Sequence, residues 1–401
     1  MHGKACKDMH PIVDMSELAR KSLLSEIHWL HNTPAPNQME VFQALADAGP
    51  MSLTVYNCND SFPARSFAMG SPWIAGRLSF RHHILRGFHG RLGKYREFYF
   101  NPGIVTAIVR SPRSSLWIVG GYTIPTALLA MWLLTLLGRR WILINEPPKR
   151  GGKLRECVRQ ILLLPVRFGA KGVLVYGSRA RAHYFDRYLS EEKVVALPQC
   201  QNLDPLLRLE RAFGSPDSTP GRVRFLYAGQ IEPFSGVRTL VRAFNLLCKI
   251  TEDAELLILG GGSCRAEVEG MVGASARQRV RFLGVIDRQM IPSAYRDADV
   301  FVHASIGQGW GMVVNEALAA GLPVISSRSV GAAEELITDG WNGFLVSDPT
   351  DQCGFAEKML FFAQNREQIP GFSANARKTA GRVTLEAGVR DFWNAVGHLL
   401  R

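Results

Sequence analysis

The sequence predicts an α/β protein of two Rossmann-like, doubly wound domains that face each other across a cleft. Two observations support this prediction. Apolar strand-like segments alternate with helix-like segments along the 401 residues, and the alternation stops once, in a stretch rich in Gly, Pro and Ser, before it starts again. Strands that are apolar along their whole length and alternate with helices are typical of a parallel sheet covered on both faces. Ligands of such sheets bind beyond the carboxyl ends of the strands.

The first half of the chain supplies strand-like segments separated by helices. The strands read SEIHWLHN, SLTVYN, LWIVGGY, RWILINE and GVLVYGS. The first two are separated by MEVFQALADAG, a helix closed by a glycine, and another helix begins at Thr126. We predict a first domain over residues 26–205, after a mobile leader over residues 1–25. The leader holds no continuous apolar stretch, so we do not expect a signal peptide.

One long apolar run in this half, IPTALLAMWLLTLLGRRW, extends from Ile124 to Trp141. A helix that spans a bilayer core needs about 20 apolar residues. The uninterrupted apolar part of this run is shorter, so a buried helix is favoured over a membrane-embedded one.

The second half of the chain repeats the pattern. Residues 206–220 have no periodicity and include many Gly, Pro and Ser residues, which indicates a linker. A second domain is predicted over residues 221–375. Residues 376–401, which include Phe392 and Trp393, are predicted to form a helix that crosses back to the first domain. The strands of the second domain read VRFLYAG, AELLILGGG, VRFLG, DVFVHAS, LPVISS and GFLV.

Composition narrows the class of protein. A hydrophobic fraction of 47% is typical of a well-cored globular chain. The seven cysteines form no CxxC pair and stand near no histidines at metal spacing, so neither a disulfide framework nor a zinc site is expected. A reducing cytoplasm is the simplest location. The net charge of +12 predicts an anionic partner or surface, without choosing between nucleic acid, anionic lipid and nucleotide.

Three glycines surround a tryptophan in GQGWGMVVNEALAAGLPVISS, which begins at Gly307 and ends at Ser327. We predict a glycine loop and then a helix that starts between Gly311 and Val313. Such a loop leaves backbone N–H groups available to a phosphate or a sugar hydroxyl. Glu316 lies about one turn into this helix, where an ionised carboxylate suits a vicinal diol such as ribose. The alternative is a glycine turn followed by an acid that the helix dipole favours.

This segment resembles glycosyltransferase family 4. The resemblance covers roughly residues 27–397 and is stronger in the second half. It implies the GT-B fold of two facing Rossmann-like domains, and transfer of a sugar from a nucleotide diphosphate sugar with retention at the anomeric carbon. It implies no metal, and no cofactor besides the nucleotide sugar as co-substrate. The motifs that carry it are FLYAGQ, SGV, LVRAF, LLILGGG, VRFLG, YRDADVFVHAS, EALAAGLPVI and GAAEELITDGWNGFLV, with HNTPAPNQMEVFQAL, VGGYTIPTALLA and VYGSRARAHY in the first half.

The resemblance also assigns roles to residues. Glu316 matches the second acid of a paired-glutamate motif and commonly binds the nucleotide ribose, whereas Gln308 matches the first acid, which contacts the donor sugar. With Glu146 of the first domain, these are the predicted catalytic residues. The other predicted donor-binding residues are Gly229, Gln230, Ser235, Gly236, Arg238, Gly260, Gly309, Trp310, Gly311, Met312 and Val313.

The chain departs from the family at two positions that usually hold the diphosphate. Gln230 and Ser235 stand where the family has Arg and Lys. A hydrogen bond to a charged group contributes about 1.5–3 kcal/mol, so the loss of both cations should weaken diphosphate binding. We expect Arg238 or helix N-terminal amides as substitutes. The alternative is a chain that has lost activity.

Polar residues at strand ends of the first half are predicted on the acceptor side of the cleft. His31, Pro36 and Asn37 belong to the loop HNTPAPNQ after the first strand, and Asn145 with Glu146 ends the strand RWILINE. The alternatives are a structural loop and a strand-end acid in solvent.

The segment RLSFRHHILRGFHGRLGKYR begins at Arg77, ends at Arg96 and contains no acid. Basic residues interleaved with apolar ones favour an anionic membrane surface or a lipid-linked acceptor over a solvated basic face. No recognised motif supports nucleic acid as a partner.

The sequence therefore predicts a cytoplasmic glycosyltransferase that acts on a glycan or lipid-linked acceptor, with peripheral contact to the inner membrane face. Two alternatives stay open. One is a sugar-nucleotide epimerase or a phosphorylase of the same fold, and the other is a catalytically silent homologue that serves as a scaffold.

Overall fold

A computed structural model of the chain describes residues 24–49, 51–59, 78–92, 96–146, 153–185, 189–210, 221–307 and 309–401. Residues 1–23 of the predicted leader, residues 211–220 of the predicted linker, and Gln308 lie outside the described residues. The chain divides into two compact units. The first unit holds the described residues up to Leu197 together with residues 385–401, and the second holds those from Pro198 to Thr384.

The first unit is built on a parallel sheet of hydrophobic strands. Its strands are β1 Glu26–His31, β2 Ser52–Asn57, β3 Arg81–Ile84, β4 Phe88–Leu92, β5 Arg96–Phe100, β6 Leu116–Gly120, β7 Arg140–Asn145, β8 Gly172–Tyr176 and β9 Val194–Leu197. The sheet has the order β3-β2-β1-β6-β7-β8-β9, and β4 pairs with β5 in a separate antiparallel ribbon. The order reverses between β1 and β6, which is the switch point where ligands of such sheets bind.

Successive side chains of a strand point to opposite faces of the sheet. Because these strands are apolar along their whole length, both faces need cover, and helices supply it. The helices are α1 Pro36–Ala48, α2 Gly103–Arg110, α3 Pro125–Leu136, α4 Lys153–Leu162, α5 Leu164–Gly169 and α6 Ser178–Phe185. Trp117 and Val119 of β6 share a buried cluster with α2, α3, α5 and α6. Leu116 and Ile118 share the opposite cluster with α1. Both faces are therefore buried, as the uninterrupted apolar strands predict.

The second unit contains a smaller parallel sheet. Its strands are β10 Val223–Ala228, β11 Ala254–Leu259, β12 Val280–Gly284, β13 Val300–His303, β14 Val324–Ser327 and β15 Gly343–Val346. The order is β12-β11-β10-β13-β14-β15, the doubly wound order with its switch point between β10 and β13. All six residues of β10 are buried, as expected for a central strand covered on both faces.

The helices of the second unit follow the strands in alternation. They are α7 Asp204–Leu207, α8 Val237–Leu247, α9 Arg265–Gly270, α10 Ile291–Arg296, α11 Met312–Ala319, α12 Gly331–Leu336, α13 Gln352–Gln364 and α14 Ile369–Ala380. Helix α8 shows why these segments fold. Its Val237, Leu240, Val241 and Phe244 recur at helical spacing and are all fully buried against the sheet.

The last helix, α15 Leu385–Leu400, packs in the first unit. Its Phe392 stacks on Trp29 of β1 with ring centroids 5.4 Å apart. The start of this helix is later than the predicted residue 376, because residues 376–380 complete α14 in the second unit. Arg377 there donates to the carbonyl oxygens of Leu207 and Leu209 at 2.9 and 2.6 Å.

The division between the units also differs from the predicted residue 205, because the segment after Leu197 bonds to the second unit. The carbonyl oxygen of Gln199 accepts from the Asn315 amide at 2.7 Å, and the backbone N–H of Gln201 donates to the carbonyl of Val383 at 3.4 Å. These bonds fasten residues 199–201 to α11 and to the end of α14.

The predicted buried helix in the apolar run is α3, which is twelve residues long. In the part of the chain that the structure describes, no helix is long and apolar enough to cross a membrane. Only one side of α3 is buried. Ala127, Ala130 and Met131 are fully enclosed, whereas Trp132 and Leu136 are 43% and 77% exposed.

Candidate functional site

The candidate site lies at the carboxyl edge of the second sheet, at the switch point between β10 and β13. Two loops meet there in direct backbone contact. The N–H of Ile306, in the loop after β13, donates to the carbonyl oxygen of Phe234, in the loop after β10, at 3.0 Å. Gly236 has φ +75°, and a side-chain carbon there would overlap the carbonyl of Ala304. The predicted Gly236 is therefore needed to bring the two loops together.

A second pair of glycines brings the ends of β10 and β11 equally close. A side-chain carbon at Gly260, which has φ +129°, would overlap the carbonyl oxygen of Gly229. The N–H of Gly229 donates to the carbonyl of Leu259 at 3.0 Å. The predicted glycines thus meet at one edge and leave bare backbone there, a surface that a ligand can approach closely.

Serines hold the glycine loop that follows β13. The hydroxyls of Ser327 and Ser329 both donate to the carbonyl oxygen of Ser305 at 2.7 Å. The Ser329 hydroxyl also accepts from the N–H of Gly307 at 3.4 Å. Small hydroxyl residues after the apolar strand LPVI were the only sequence signal for these contacts.

The end of the loop is fixed by Gly311, which has φ +99° and precedes α11. The carbonyl of Trp310 accepts from the N–H of Ala332 at 2.8 Å. A side-chain carbon at Gly331 would overlap the carbonyl of Gly309, so the start of α12 also packs tightly on the loop. Met312 and Val313 then form the first turn of α11, where backbone N–H groups have no intrahelical acceptor.

The Trp310 side chain is buried, and only 3% of the residue is exposed. Its indole N–H donates to the Asn315 side-chain oxygen at 3.1 Å, and the Asn315 amide is bonded to the carbonyl of Gln199. The indole therefore anchors the loop to the protein interior, and the side chain of this residue is not available to a ligand at the surface.

Glu316 is partly buried on α11, and both of its carboxylate oxygens are bonded. Oε2 accepts from the hydroxyl of Tyr295 on α10 at 2.8 Å, and Oε1 accepts from the Gln201 amide at 3.3 Å. Burial raises the pKa of Glu316 above its ordinary value, although both hydrogen bonds and the positive charge of Arg288 act in the opposite direction. Burial, reinforced by this carboxylate, also raises the pKa of Tyr295 well above its usual range.

Tyr295 and Gln201 were not predicted as site residues. Tyr295 is fully buried, and its motif YRDADVFVHAS predicts a helix end and a strand but gives no partner for its hydroxyl. Gln201 fell in the segment assigned to the first domain. Together they fix the orientation of the carboxylate before any ligand is present.

The two positions that lack the family's cations are engaged within the loop after β10. The Ser235 hydroxyl is buried and donates to the carbonyl of Glu232 at 2.8 Å. The carbonyl of Gln230 accepts from the hydroxyl of Tyr227 at 2.8 Å. These contacts shape the turn and bring no positive charge to it. The Glu232 carboxylate accepts from the N–H and hydroxyl of Ser263 at 3.0 and 2.6 Å.

Arg238, the predicted substitute cation, is bound to another side chain. Its Nε and Nη2 donate to the two carboxylate oxygens of Glu267, both at 2.6 Å, in a bidentate pair. This pair raises the pKa of Arg238 and lowers that of Glu267. Helix α9 thus supplies a carboxylate that sequence spacing did not reveal. Other cations at this edge are Arg288, after β12, and Arg328, after β14.

The predicted acceptor-side residues lie at strand ends of the first unit. His31 ends β1, and its Nδ1 donates to the carbonyl of Thr33 at 2.8 Å. Burial lowers the pKa of His31, which that hydrogen bond partly offsets. Pro36 and Asn37 open α1.

Asn145 and Glu146 lie at the end of β7 in the same unit. The Asn145 amide donates to the Tyr184 hydroxyl at 2.5 Å and to the carbonyl of Glu146 at 2.9 Å. The Glu146 side chain is exposed. Among the described residues, no group of three or more His, Cys, Asp or Glu side chains could hold a metal ion.

Comparisons with known proteins agree with this architecture. Residues 222–365 match the family described as Glycosyl transferases group 1. A phosphatidyl-myo-inositol mannosyltransferase of Mycobacterium leprae is 30% identical over 189 residues, which are 45% of this chain and 48% of that protein. The chain thus spans about half the length of this curated relative.

Two solved structures share the fold over nearly the whole chain. A glycosyltransferase from Rickettsia africae has a TM-score of 0.69 and 16% identity, with 94% of this chain and 99% of that chain covered. The Anabaena protein HepE, solved with UDP, has a TM-score of 0.69 and 16% identity over 92% of this chain and 99% of its own. Two parallel-sheet α/β units with these neighbours define a GT-B protein. The match over residues 222–365 agrees with the resemblance of the motifs to glycosyltransferase family 4.

The contact between the two loops leads to a prediction for Gly236→Ala. A residue other than glycine in the left-handed region costs about 1–2 kcal/mol. Gly340 has nearly the same φ, +74°, and an added side-chain carbon there meets no atom within 4 Å, so Gly340→Ala measures the backbone cost alone. Gly236→Ala should lower the free energy of unfolding in urea by more than Gly340→Ala does, because the carbonyl of Ala304 must also move. Equal losses in the two variants would contradict the steric contact.

The raised pKa of Glu316 leads to a prediction for Glu316→Gln. Between the ordinary pKa and the raised one, the folded protein holds a proton that the unfolded chain has lost, so this carboxyl makes folding less favourable as pH rises. The free energy of unfolding of Glu316→Gln, relative to wild type, should therefore increase from pH 4 to pH 7 in urea titrations. Glu267→Gln is the matched control, and its relative stability should change in the opposite direction because its pKa is lowered. The same pH trend in both variants would contradict this account.

Proposed function

We propose that the protein is a retaining glycosyltransferase that moves a sugar from a nucleoside diphosphate sugar to a hydroxyl of a glycan or lipid-linked acceptor. The observation that carries this proposal is Glu316, held by two hydrogen bonds one turn into the helix that follows the glycine loop at the switch point. A carboxylate fixed beside open backbone matches the needs of a nucleotide, which presents a diol and a phosphate close together.

Glu316 is proposed to bind the ribose diol. Each carboxylate oxygen has one bond within the protein and keeps a further lone pair for a ligand hydroxyl. Because Tyr295 and Gln201 already fix the carboxylate, less conformational freedom is lost when the nucleotide binds. The raised pKa shows the cost of this arrangement, since a partly buried carboxylate is less stable when ionised.

The diphosphate is proposed to bind at the start of α11. Gly311 turns the chain so that the N–H groups of Met312 and Val313 face the loop end, where the positive end of the helix dipole favours an anion. Arg288 follows β12 and Arg328 follows β14, on either side of the switch point, and both add positive charge to the carboxyl edge. This charge would replace part of the positive charge that the family's Arg and Lys supply and that Gln230 and Ser235 lack.

The reaction needs few chemical groups from the protein. The bond from the anomeric carbon to the diphosphate oxygen breaks, a bond to the acceptor oxygen forms on the same face, and the acceptor proton passes to the departing diphosphate. The protein contributes by positioning both substrates and by stabilising the phosphate charge as it develops. Glu146, Asn145 and His31 are proposed for the acceptor side, where the lowered pKa of His31 keeps its ring neutral near pH 7.

The comparisons support the choice of substrates. The Anabaena protein of the same fold was solved with UDP, so uridine is the first nucleotide to test. The mycobacterial relative is named for the mannosylation of phosphatidyl-myo-inositol, which supports a lipid-linked acceptor. Peripheral contact with an anionic membrane through residues 77–96 is consistent with that acceptor. Within this segment Arg81 and Arg86 are exposed and Phe88 is 72% exposed, whereas Arg77 and residues 93–95 lie outside the described residues.

A catalytically silent homologue is the second candidate. It is favoured by the bidentate pairing of Arg238 with Glu267, which leaves the missing cations at Gln230 and Ser235 without that substitute. Binding of nucleotide sugars without transfer or hydrolysis would identify this alternative.

Nucleotide binding through Glu316 is testable by thermal shift with UDP, GDP, ADP and their sugars. A ligand at 100 times its dissociation constant stabilises a protein by about 2.7 kcal/mol, which gives a clear shift. Glu316→Ala should abolish the shift, and its melting temperature without ligand is the reference, because the buried Tyr295 hydroxyl loses its acceptor in this variant. Glu357→Ala, which removes an exposed carboxylate on α13, is the control and should keep the full shift. An unchanged shift in Glu316→Ala would show that nucleotide binds elsewhere.

We propose that the neutral side chain of Gln308 compensates for the cations that are missing around the diphosphate. The site lacks two of the family's cations and also one of its anions, so a neutral amide avoids repulsion against the diphosphate. Gln308→Glu should weaken donor binding, and Gln230→Arg with Ser235→Lys should recover much of the loss. Donor affinity is measured for wild type, the single variant and the triple variant at one salt concentration. Tighter donor binding by Gln308→Glu alone would refute this compensation.

A further inference from the structure

Helix α3 is apolar on both sides, although only one side faces the core. Its sequence, PTALLAMWLLTL, contains no charged residue. On the outer side, Trp132 is 43% exposed, Leu136 is 77% exposed, and Leu137, just after the helix, is 44% exposed. A helix that covers one face of a sheet usually carries polar residues outside. The outer side of α3 therefore lacks the composition of a surface made for water.

The neighbouring helices continue this apolar surface. Helix α3 contacts α2 and α5, α5 contacts α4, and the four helices cover the same face of the first sheet. We call their exposed apolar residues the outer helical face. Its members range from 36% to 77% exposed and are Val105, Val109, Trp132, Leu136, Leu137, Val158, Ile161 and Phe168. Exposed apolar side chains that gather on adjacent helices, rather than lie singly on the surface, mark interaction sites.

The segment that forms this face is strongly basic. Between Asn101 and Lys171 the sequence has eleven Lys and Arg residues and two Glu residues. One of the two, Glu156, is already paired with Arg159 at 2.5 Å. Exposed basic side chains lie at the ends of the helices, at Arg110, Arg113, Arg167 and Lys171.

We propose that the outer helical face docks on an anionic lipid bilayer, with Trp132, Leu136 and Phe168 at the boundary between headgroups and acyl chains. An apolar surface rimmed by Lys and Arg is the pattern of interfacial membrane binding, in which apolar side chains enter about 5–10 Å and basic ones meet lipid phosphates. A tryptophan suits this boundary because its ring is apolar and its N–H is polar. The near absence of acids favours an anionic surface over a protein partner of mixed charge.

The outer helical face also borders part of the basic segment of residues 77–96. Strand β5 contacts α3, and the ribbon of β4 and β5 exposes Phe88 and Phe100 by 72% and 38%. The ribbon thus borders the outer helical face and extends it. This docking does not depend on the proposed glycosyl transfer, so each can fail without the other.

The test is flotation of the full chain with vesicles of neutral phosphatidylcholine, and with vesicles that contain 30% phosphatidylglycerol. Wild type should bind the anionic vesicles about tenfold more tightly or better, and added salt should weaken this binding. Arg110→Ser with Arg113→Ser and Arg167→Ser should reduce anionic binding by about a hundredfold, since each basic residue contributes on the order of a factor of five.

The apolar contribution is tested separately. Leu136→Glu alone, and Trp132→Ser with Leu136→Ser and Phe168→Ser, should both lose vesicle binding. Ile250→Ser, which replaces a 63% exposed residue of the second unit, is the matched control and should bind as wild type does. Melting temperatures verify that the variants fold, and Leu136→Glu changes a side chain too exposed to matter for the core.

Insertion of Trp132 into the bilayer is measured by the quenching of tryptophan fluorescence by brominated acyl chains. This quenching should be smaller in Trp132→Phe. Equal binding to neutral and anionic vesicles, or no binding at all, would overturn the proposal. A dimer in solution would also overturn the proposal if the Trp132, Leu136 and Phe168 serine variant were monomeric and wild type did not bind vesicles. The face would then join two copies of the chain.

Discussion

The candidate site depends on close contact between backbone segments at the carboxyl edge of the second sheet. Gly236 lies against the carbonyl of Ala304, and Gly260 lies against that of Gly229, so that the ends of three adjacent strands converge without intervening side chains. Any side chain at these positions would separate the loops. The same geometry that brings the strands together also leaves exposed backbone, and the N-terminal end of α11 opens onto it. Fold and site therefore share one steric constraint.

Within that frame, Glu316 is held at a cost to stability. Burial disfavours its charged form, and the hydroxyl of Tyr295 with the amide of Gln201 only partly offsets this effect. A residue selected for stability alone would be neutral here. A carboxylate with both oxygens already oriented, at a position where burial disfavours its charge, is consistent with the proposed ribose site.

Both units are doubly wound, but the outer sides of their helices differ. In the second unit, amphipathic helices such as α8 bury one side and expose a polar one. In the first unit, α3 and its neighbours bury one side and expose a second apolar one, with basic residues around it. The last helix, α15, closes the opposite face of that unit through Phe392 and Trp29. The proposed docking on a bilayer would account for this asymmetry, since the opposite face is covered by the chain itself.

The sequence by itself determined the two parallel sheets, the glycine loop and the helix that carries Glu316, because periodicity and glycine spacing are local properties. Tertiary structure decided what touches that carboxylate, since Tyr295 and Gln201 lie 21 and 115 residues away along the chain. It also decided that Arg238 is bound by Glu267, that Trp310 points inward, and that one side of α3 stays exposed. Each depends on which distant segments meet in the fold, and hydrophobic pattern alone cannot tell a buried apolar helix face from an uncovered one.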